Sequence, residues 1–153
     1  MTNIDQSIAT EFLKRLVGQP LCYGLKSRDL DLYDFGFGDY DEVWYTETKC
    51  RKISTYLLHV TCNFRIINRT EKSLSENFCG DTSADRFHDV IQNLFGLCVQ
   101  RIALSSKNDL WLDLGPYWIV FATFENNEES WRFFSSEDNG PHLVATDRLL
   151  SLG

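Results

Sequence analysis

Basic residues are scarce in this sequence of 153 residues, and the stretch from Asp29 to Thr48 contains none. Lys and Arg together number 15 against 22 Asp and Glu, which gives a formal net charge of −7. Binding to phosphate backbones or anionic lipid requires clustered Lys and Arg. The composition therefore argues against nucleic acid and against a membrane as partners, and it favours a basic partner.

Long apolar runs and paired cysteines are also missing. No run approaches the roughly 20 apolar residues that cross a bilayer. The opening segment, MTNIDQSIATEFLKRL, has acids where a signal peptide has bases, and it lacks an apolar core. The five cysteines are odd in number and include no C-x-x-C pair, unlike those of a disulfide scaffold. We therefore expect a cytoplasmic protein with reduced thiols.

Motifs of catalytic and cofactor sites are absent as well. There is no G-x-S-x-G elbow, no dinucleotide fingerprint and no phosphate-binding P-loop. His59 and Cys62 are spaced like metal ligands, but on a strand they would point to opposite faces. Cys79 precedes a predicted helix, yet Asp81 and Asp85 oppose a reactive thiolate there. The sequence thus predicts no catalytic residue, no metal site and no cofactor.

The length favours a single domain spanning residues 1–153. A chain of this size buries about two-thirds of its unfolded surface, so it needs no metal or disulfide for stability. Hydrophobic residues make up 43% of the chain and aromatic residues 14%, which is too apolar for a disordered protein.

Two amphipathic helices are predicted by apolar residues that recur three and four positions apart. They are Ile4–Val17 and Asp81–Phe95. Asp81 or Thr82 is expected to cap the second helix, and Gly96 to end it.

The clearest strand is Thr55 to Ile67, where apolar and polar residues alternate. Its apolar face carries Tyr56, Leu58, Val60, Cys62, Phe64 and Ile66. The other strand candidates are residues 20–25, 29–37, 43–48, 97–104, 109–114, 117–124, 130–134 and 142–145. Residues 68–80 are predicted as a loop, residues 146–152 as a short helical turn, and the glycines beside Phe37 as a bulge or turn.

Short connections in the C-terminal third exclude parallel crossovers and predict a meander. We therefore expect an α+β fold with a mainly antiparallel sheet of about six to nine strands and two helices packed on it. The predicted core consists of Phe12, Leu58, Val60, Phe64, Val90, Ile91, Leu94, Val120 and Trp131.

The stretch from Asp29 to Thr48 interleaves seven acids with Tyr33, Tyr40, Trp44 and Tyr45. One interpretation is a solvated sheet edge. The other is a recognition surface, because aromatic residues anchor interfaces and acids steer a basic partner. On the second interpretation the partner-binding residues are Tyr33, Asp39, Tyr40, Asp41, Glu42 and Trp44.

A different class of function is a small-molecule binding domain or an enzyme. Its pocket would be lined by the polar face of strand 55–67, with His59, Asn63 and Arg65 converging. A closed, aromatic-lined cavity at these residues would favour this alternative.

Several short motifs occur in a familiar order. They are Leu16-Val17-Gly18-x-Pro20-Leu21, Arg28-x-x-Asp31, Phe35-Gly36, Leu58-His59-Val60-x-Cys62-x-x-Arg65, Asp109-Leu110-x-Leu112, Glu129-Ser130-Trp131-Arg132-Phe133-Phe134 and His142-Leu143-Val144. Together they resemble a family of small stand-alone bacterial proteins without an assigned activity. By general type, the chain also resembles the immunity proteins of polymorphic toxin systems. The resemblance implies a bacterial cytoplasmic protein that binds and inhibits a toxin domain, and it supplies no catalytic residue.

Overall fold

Two antiparallel sheets form the body of the protein. The computed structural model describes residues 1–44, 46–71, 75–136 and 139–153, with only the backbone described at residues 51 and 52. Its helices are α1 (Gln6–Leu13) and α2 (Ala84–Ile91), each continued by a 3₁₀ turn. Its strands are β1 (Thr2–Ile4), β2 (Leu21–Lys26), β3 (Tyr33–Trp44), β4 (Cys50–Val60), β5 (Asn63–Asn68), β6 (Ser75–Phe78), β7 (Arg101–Leu104), β8 (Leu110–Asp113), β9 (Tyr117–Ala122), β10 (Trp131–Ser135), β11 (Leu143–Ala145) and β12 (Leu150–Leu152).

The strands are ordered β1-β12-β11-β10-β4-β3-β2 in a seven-stranded sheet and β6-β5-β9-β8-β7 in a five-stranded sheet. This arrangement confirms the predicted α+β class with mainly antiparallel pairing and two helices. The strands in the described residues outnumber the predicted six to nine because the chain crosses between two sheets and several strands are short.

Helix α1 begins later than predicted because Ile4 belongs to β1, where it pairs with Leu150. The carboxylate of Asp5 caps the helix by accepting the Ile8 N–H at 3.0 Å. Helix α2 is capped by Ser83, so the prediction of Asp81 or Thr82 as its cap is wrong. No helix in the described part of the chain has both the length and the apolar character needed to cross a membrane.

The predicted strand 55–67 is two strands. The chain turns at Thr61 and Cys62, whose N–H groups both donate to the carbonyl of Ser130 at 3.0 and 3.2 Å. Strand β4 then lies in the larger sheet and β5 in the smaller one. The alternation continues through the turn because both strands bury residues of the same parity, including Cys62 itself.

Three further boundaries differ from the predictions. Residues 43–48 do not form a separate strand, since β3 runs on to Trp44, and Tyr45 lies outside the described residues. The predicted loop 68–80 contains β6, with residues 72–74 outside the described residues. The predicted helical turn 146–152 contains β12, which pairs with both β1 and β11.

The predicted C-terminal meander is only partly formed. Strands β7, β8 and β9 are neighbours in the smaller sheet, whereas β10 pairs with β4 in the larger sheet.

The two sheets share one aromatic core, centred on Phe64. Its ring lies 4.7 Å from Tyr33, 5.3 Å from Phe35 and 5.5 Å from Phe121, measured between centroids. Phe87 of α2 packs on the same rings. The predicted core residues Leu58, Val60, Phe64, Ile91, Leu94 and Trp131 are buried, whereas Phe12, Val90 and Val120 are only partly buried.

Candidate functional site

A two-stranded ribbon extends beyond the edge of the seven-stranded sheet. Strand β2 pairs with β3 only as far as Phe37, and β10 pairs with β4 only as far as Tyr56. Beyond these points residues 40–44 pair with residues 50–54, and no third strand joins them in the described residues. We call residues 39–44 and 50–54 the ribbon.

A β-bulge separates the ribbon from the sheet. The register shifts between Phe37 and Tyr40, so Gly38 and Asp39 together face Thr55. Gly38 has a φ of 93°, and a Cβ there would lie 2.6 Å from the Thr55 side chain. The Asp39 N–H donates to the Thr55 hydroxyl at 3.0 Å. The bulge predicted beside Phe37 is therefore present, and it sets the direction of the ribbon.

Apolar and aromatic side chains of the ribbon are open to solvent. The exposed fraction is 40% for Tyr40, 40% for Val43 and 59% for Trp44. Tyr40, Glu42 and Trp44 share one face because they occupy alternate positions of the strand. The Tyr40 hydroxyl donates to a Glu42 carboxylate oxygen at 3.3 Å. Two aromatic rings and a carboxylate thus lie side by side on this face.

The base of the ribbon is held by a pair of tyrosines. The Tyr40 ring stacks on that of Tyr23, with centroids 5.9 Å apart. Burial raises the pKa of Tyr23 to about 12, and the nearby Asp34 carboxylate acts in the same direction. Burial, with a further contribution from Glu42, also raises the pKa of Tyr40. Both phenols therefore remain neutral hydrogen-bond donors at physiological pH.

Tyr33 was predicted as a partner-binding residue, and this prediction is wrong. Its side chain is buried, and its hydroxyl donates to the Cys79 carbonyl at 2.6 Å. The alternation of β3 places Tyr33 on the inner face of the sheet, against Phe64 and Phe87. It is a core residue that cannot contact a partner.

The acids of the Asp29–Thr48 stretch do not form one surface. Asp39, Asp41 and Glu42 are exposed on the ribbon. Asp31 lies in a bend before the other end of β3, and the strand from Tyr33 to Asp41 alone spans about 26 Å at the usual rise per residue. The backbone of residues 51 and 52, which are Arg and Lys in the sequence, pairs with that of residues 43 and 42.

The pocket predicted for the small-molecule alternative is not formed by its three residues. His59 lies on the outer face of the seven-stranded sheet. Asn63 and Arg65 follow the turn into the other sheet, and Arg65 donates to the Ser75 hydroxyl at 3.2 Å. The three side chains are therefore not brought together.

Sequence reasoning missed a cluster of side chains around His59. A carboxylate oxygen of Asp34 hydrogen-bonds to His59 Nδ1. The His59 ring packs against Phe134, with centroids 5.0 Å apart, and Phe134 stacks on His142 at 4.3 Å with an interplanar angle of 5°. Because three strands and the residue before β11 contribute these side chains, only the alternation at His59 gave a signal for the cluster in the sequence. We call Asp34, His59, Arg132, Phe134 and His142 the histidine cluster.

Arg132 completes the histidine cluster. Its Nε and Nη2 atoms donate to the two oxygens of Glu129 at 2.8 and 3.1 Å, and its Nη1 lies 3.3 Å from His142 Nδ1. Burial and the positive charge of Arg132 lower the pKa of His142, with a smaller contribution from His59. The His142 ring is therefore neutral at pH 7.

Among the described residues, no three His, Cys, Asp or Glu side chains are grouped as metal ligands. Comparisons with protein-family models, with curated proteins and with solved structures gave no match to this chain. Function is therefore inferred from the ribbon and the histidine cluster.

Proposed function

We propose that the protein acts by binding another protein through the ribbon, and that it inhibits a bacterial toxin domain in the cytoplasm. The partner-binding residues are Asp39, Tyr40, Asp41, Glu42 and Trp44. The proposal assigns no catalytic residue and no cofactor.

The observation that carries the proposal is the exposure of Trp44 at the end of the ribbon. An isolated two-stranded ribbon is only marginally stable in water, and burial of one Trp side chain removes some 150–250 Å² of surface. Trp and Tyr are the residue types most enriched among interface hot spots. A partner that takes up Trp44 and Tyr40 would shield both rings from water and hold the ribbon in one conformation.

The acids of the ribbon support a partner with a basic cleft. The cleft of a nuclease toxin is electropositive because it holds phosphate groups, so Asp39, Asp41 and Glu42 would compete for it. Exposed charges of this kind mainly raise the association rate, and their effect falls as ionic strength rises. The net charge of −7 also favours association with a basic partner.

Protection of an unpaired strand edge is a competing explanation for these acids. Charges on an edge prevent pairing with another chain. Edge protection accounts for Asp39 and Asp41, but it gives no reason for an exposed Trp44 beside them. The two explanations differ in their consequences: edge protection predicts that removing the acids causes self-association, whereas a binding role predicts loss of a partner.

The test is recovery of a partner by the tagged chain expressed in its native host. The wild-type chain is compared with Trp44→Ala and Asp41→Lys, and with Trp111→Ala as a matched control. Trp111 is 40% exposed on the outer face of the other sheet. We expect one partner to be lost with Trp44→Ala and reduced with Asp41→Lys, while Trp111→Ala recovers it in full. Equal recovery by all four chains would contradict the proposal.

Inhibition is tested separately by co-expression with a toxin domain encoded beside the chain. The wild-type chain should restore growth, and Trp44→Ala should fail to do so at equal protein level. If growth is not restored with any neighbouring toxin, the inhibitory role is excluded while binding to another partner is judged by the recovery experiment.

A further inference from the structure

The outer face of the seven-stranded sheet carries a hollow of about 480 Å³ and, beside it, a second of about 260 Å³. His59, Phe134 and His142 line both hollows. Arg132 lines the smaller one, and Ser54 and Ser136 lie in the larger one. Polar groups of the histidine cluster therefore face a space that is large enough for a small ligand.

The hydrogen bond from Arg132 fixes the tautomer of His142. A guanidinium group can only donate, so His142 Nδ1 accepts and its proton sits on Nε2. Neither the hydrogen bonds nor the ion pairs of the described residues engage this Nε2–H. His142 thus presents one fixed donor to the hollow.

The Asp34 carboxylate fixes a proton on Nδ1 of His59, whereas Arg132 fixes the proton of His142 on Nε2. A carboxylate accepts, so His59 Nδ1 carries a proton, and in the neutral form of the ring the Nε2 atom has a lone pair. This Nε2 also has no partner among the described residues. The two histidines therefore offer an acceptor and a donor, and both rings pack against Phe134.

Arg132 adds further donors in a fixed position. Glu129 engages its Nε and Nη2, and His142 engages its Nη1, so the guanidinium plane is held from two directions. The second hydrogen of each Nη atom is left for a ligand. Two carboxylates, Asp34 and Glu129, hydrogen-bond to members of the histidine cluster, and their negative charge disfavours a ligand that must enter as a dianion.

We propose that the smaller hollow, which His59, Arg132 and His142 line, binds a small molecule that carries a phosphate monoester. The His142 Nε2–H and the Arg132 guanidinium donate to its anionic oxygens, and His59 Nε2 accepts the hydrogen of its P–O–H group. A phosphate monoester loses its second proton near pH 6, so it supplies both a hydroxyl and anionic oxygens near neutral pH. Sulfate has the same shape and no such hydroxyl, and a carboxylate has lost its proton well below pH 7.

The test is side-chain nitrogen NMR of the ¹⁵N-labelled full chain, titrated with inorganic phosphate, with phenyl phosphate and with sulfate at matched ionic strength. Before addition, His142 should show the Nε2–H tautomer. Both phosphates should then shift the Nε2 signals of His142 and His59, and sulfate should bind at least tenfold more weakly. Phenyl phosphate binding without inorganic phosphate binding would show that the ester group is required. No shift with either phosphate, or an equal response to sulfate, would overturn the proposal.

Two variants locate the site. His142→Phe keeps the ring that stacks on Phe134 and removes the donor, so phosphate affinity should fall at least tenfold. Arg132→Gln should have a similar effect, whereas Arg86→Gln, which removes another arginine paired with a glutamate, should have none. Unchanged phosphate affinity in folded His142→Phe would contradict the assignment. If that variant does not fold, the proposal is judged by the phosphate and sulfate titrations of the wild-type chain.

Discussion

Tyr40 of the ribbon stacks on Tyr23 of the neighbouring strand β2, with ring centroids 5.9 Å apart and planes inclined by 27°. Together with the bulge at Gly38, this contact ties the base of the ribbon to the sheet. Val43 and Trp44 lie beyond it and are exposed. The ribbon is thus fixed where it leaves the sheet and open where we propose that it meets a partner.

Loss of this stacking should loosen the ribbon with a small effect on the fold. We expect Tyr23→Leu to lower the free energy of unfolding by about 1 kcal/mol, since an aromatic pair contributes roughly that amount beyond its buried area. Amide exchange at residues 41–44 should become faster, and exchange at Phe35 should not change. Urea denaturation and hydrogen exchange measure the two effects, and unchanged exchange in the ribbon would show that the stack does not hold it.

The end of the ribbon should be dispensable for folding. The side chains that the structure describes between residues 42 and 52 include none of the buried core. Replacing them by Asn-Gly joins Asp41 to Ile53, which already face each other, through a favoured two-residue hairpin turn. The shortened chain should unfold within about 1 kcal/mol of the wild type, since changes away from the core usually have small effects. A loss of several kcal/mol in urea denaturation would show that the ribbon stabilises the core.

Tyr33 should affect stability and leave partner binding unchanged. Tyr33→Phe removes the hydrogen bond to the Cys79 carbonyl and leaves that partly buried oxygen without this donor. We expect a loss of about 1–2 kcal/mol in the free energy of unfolding. Partner recovery at saturating protein should match the wild type. Reduced recovery by this variant at equal folded concentration would show that Tyr33 contributes to partner binding.

The course of the chain between the sheets was not predictable from periodicity. Residues Tyr56 to Ile66 keep one alternation although the chain turns at Thr61, because both sheets bury the same core. A period of two reports which face is buried and does not report which sheet a strand joins. The class, the helices and most of the core followed from local pattern.

The candidate sites depended on register and on strand ends, which are long-range properties. Tyr33 and Tyr40 look alike in the sequence, yet one is buried and the other exposed, because β2 ends its pairing at Phe37. His59 meets Arg132 across β4 and β10, 73 positions apart in the chain, and no local pattern encodes that pairing. Both interpretations of the acids required exposure, and Asp39, Asp41 and Glu42 are exposed, but the extension of their strand beyond the sheet edge was not predicted.

The pKa of His142 should respond to Arg132. The folded pKa lies below the ordinary 6.5 because of burial and the neighbouring guanidinium. The unfolded chain therefore takes up the proton first, and the stability that neutral His142 contributes is complete above about pH 6.5 and is lost as the pH falls through the folded pKa. In Arg132→Gln the pKa of His142 should rise, as measured by NMR titration. A pKa that does not move would show that the guanidinium does not act on this ring.

The most direct test of the binding role is the dissociation constant of the recovered partner for wild-type, Trp44→Ala and Trp111→Ala chains, measured by calorimetry at low and high salt. Loss of an aromatic anchor costs about 2 kcal/mol or more, which corresponds to roughly a 30-fold weaker complex. We predict that weakening for Trp44→Ala, an unchanged constant for Trp111→Ala, and weaker wild-type binding at high salt. Equal dissociation constants for all three folded chains would contradict the assignment of the ribbon as the binding surface.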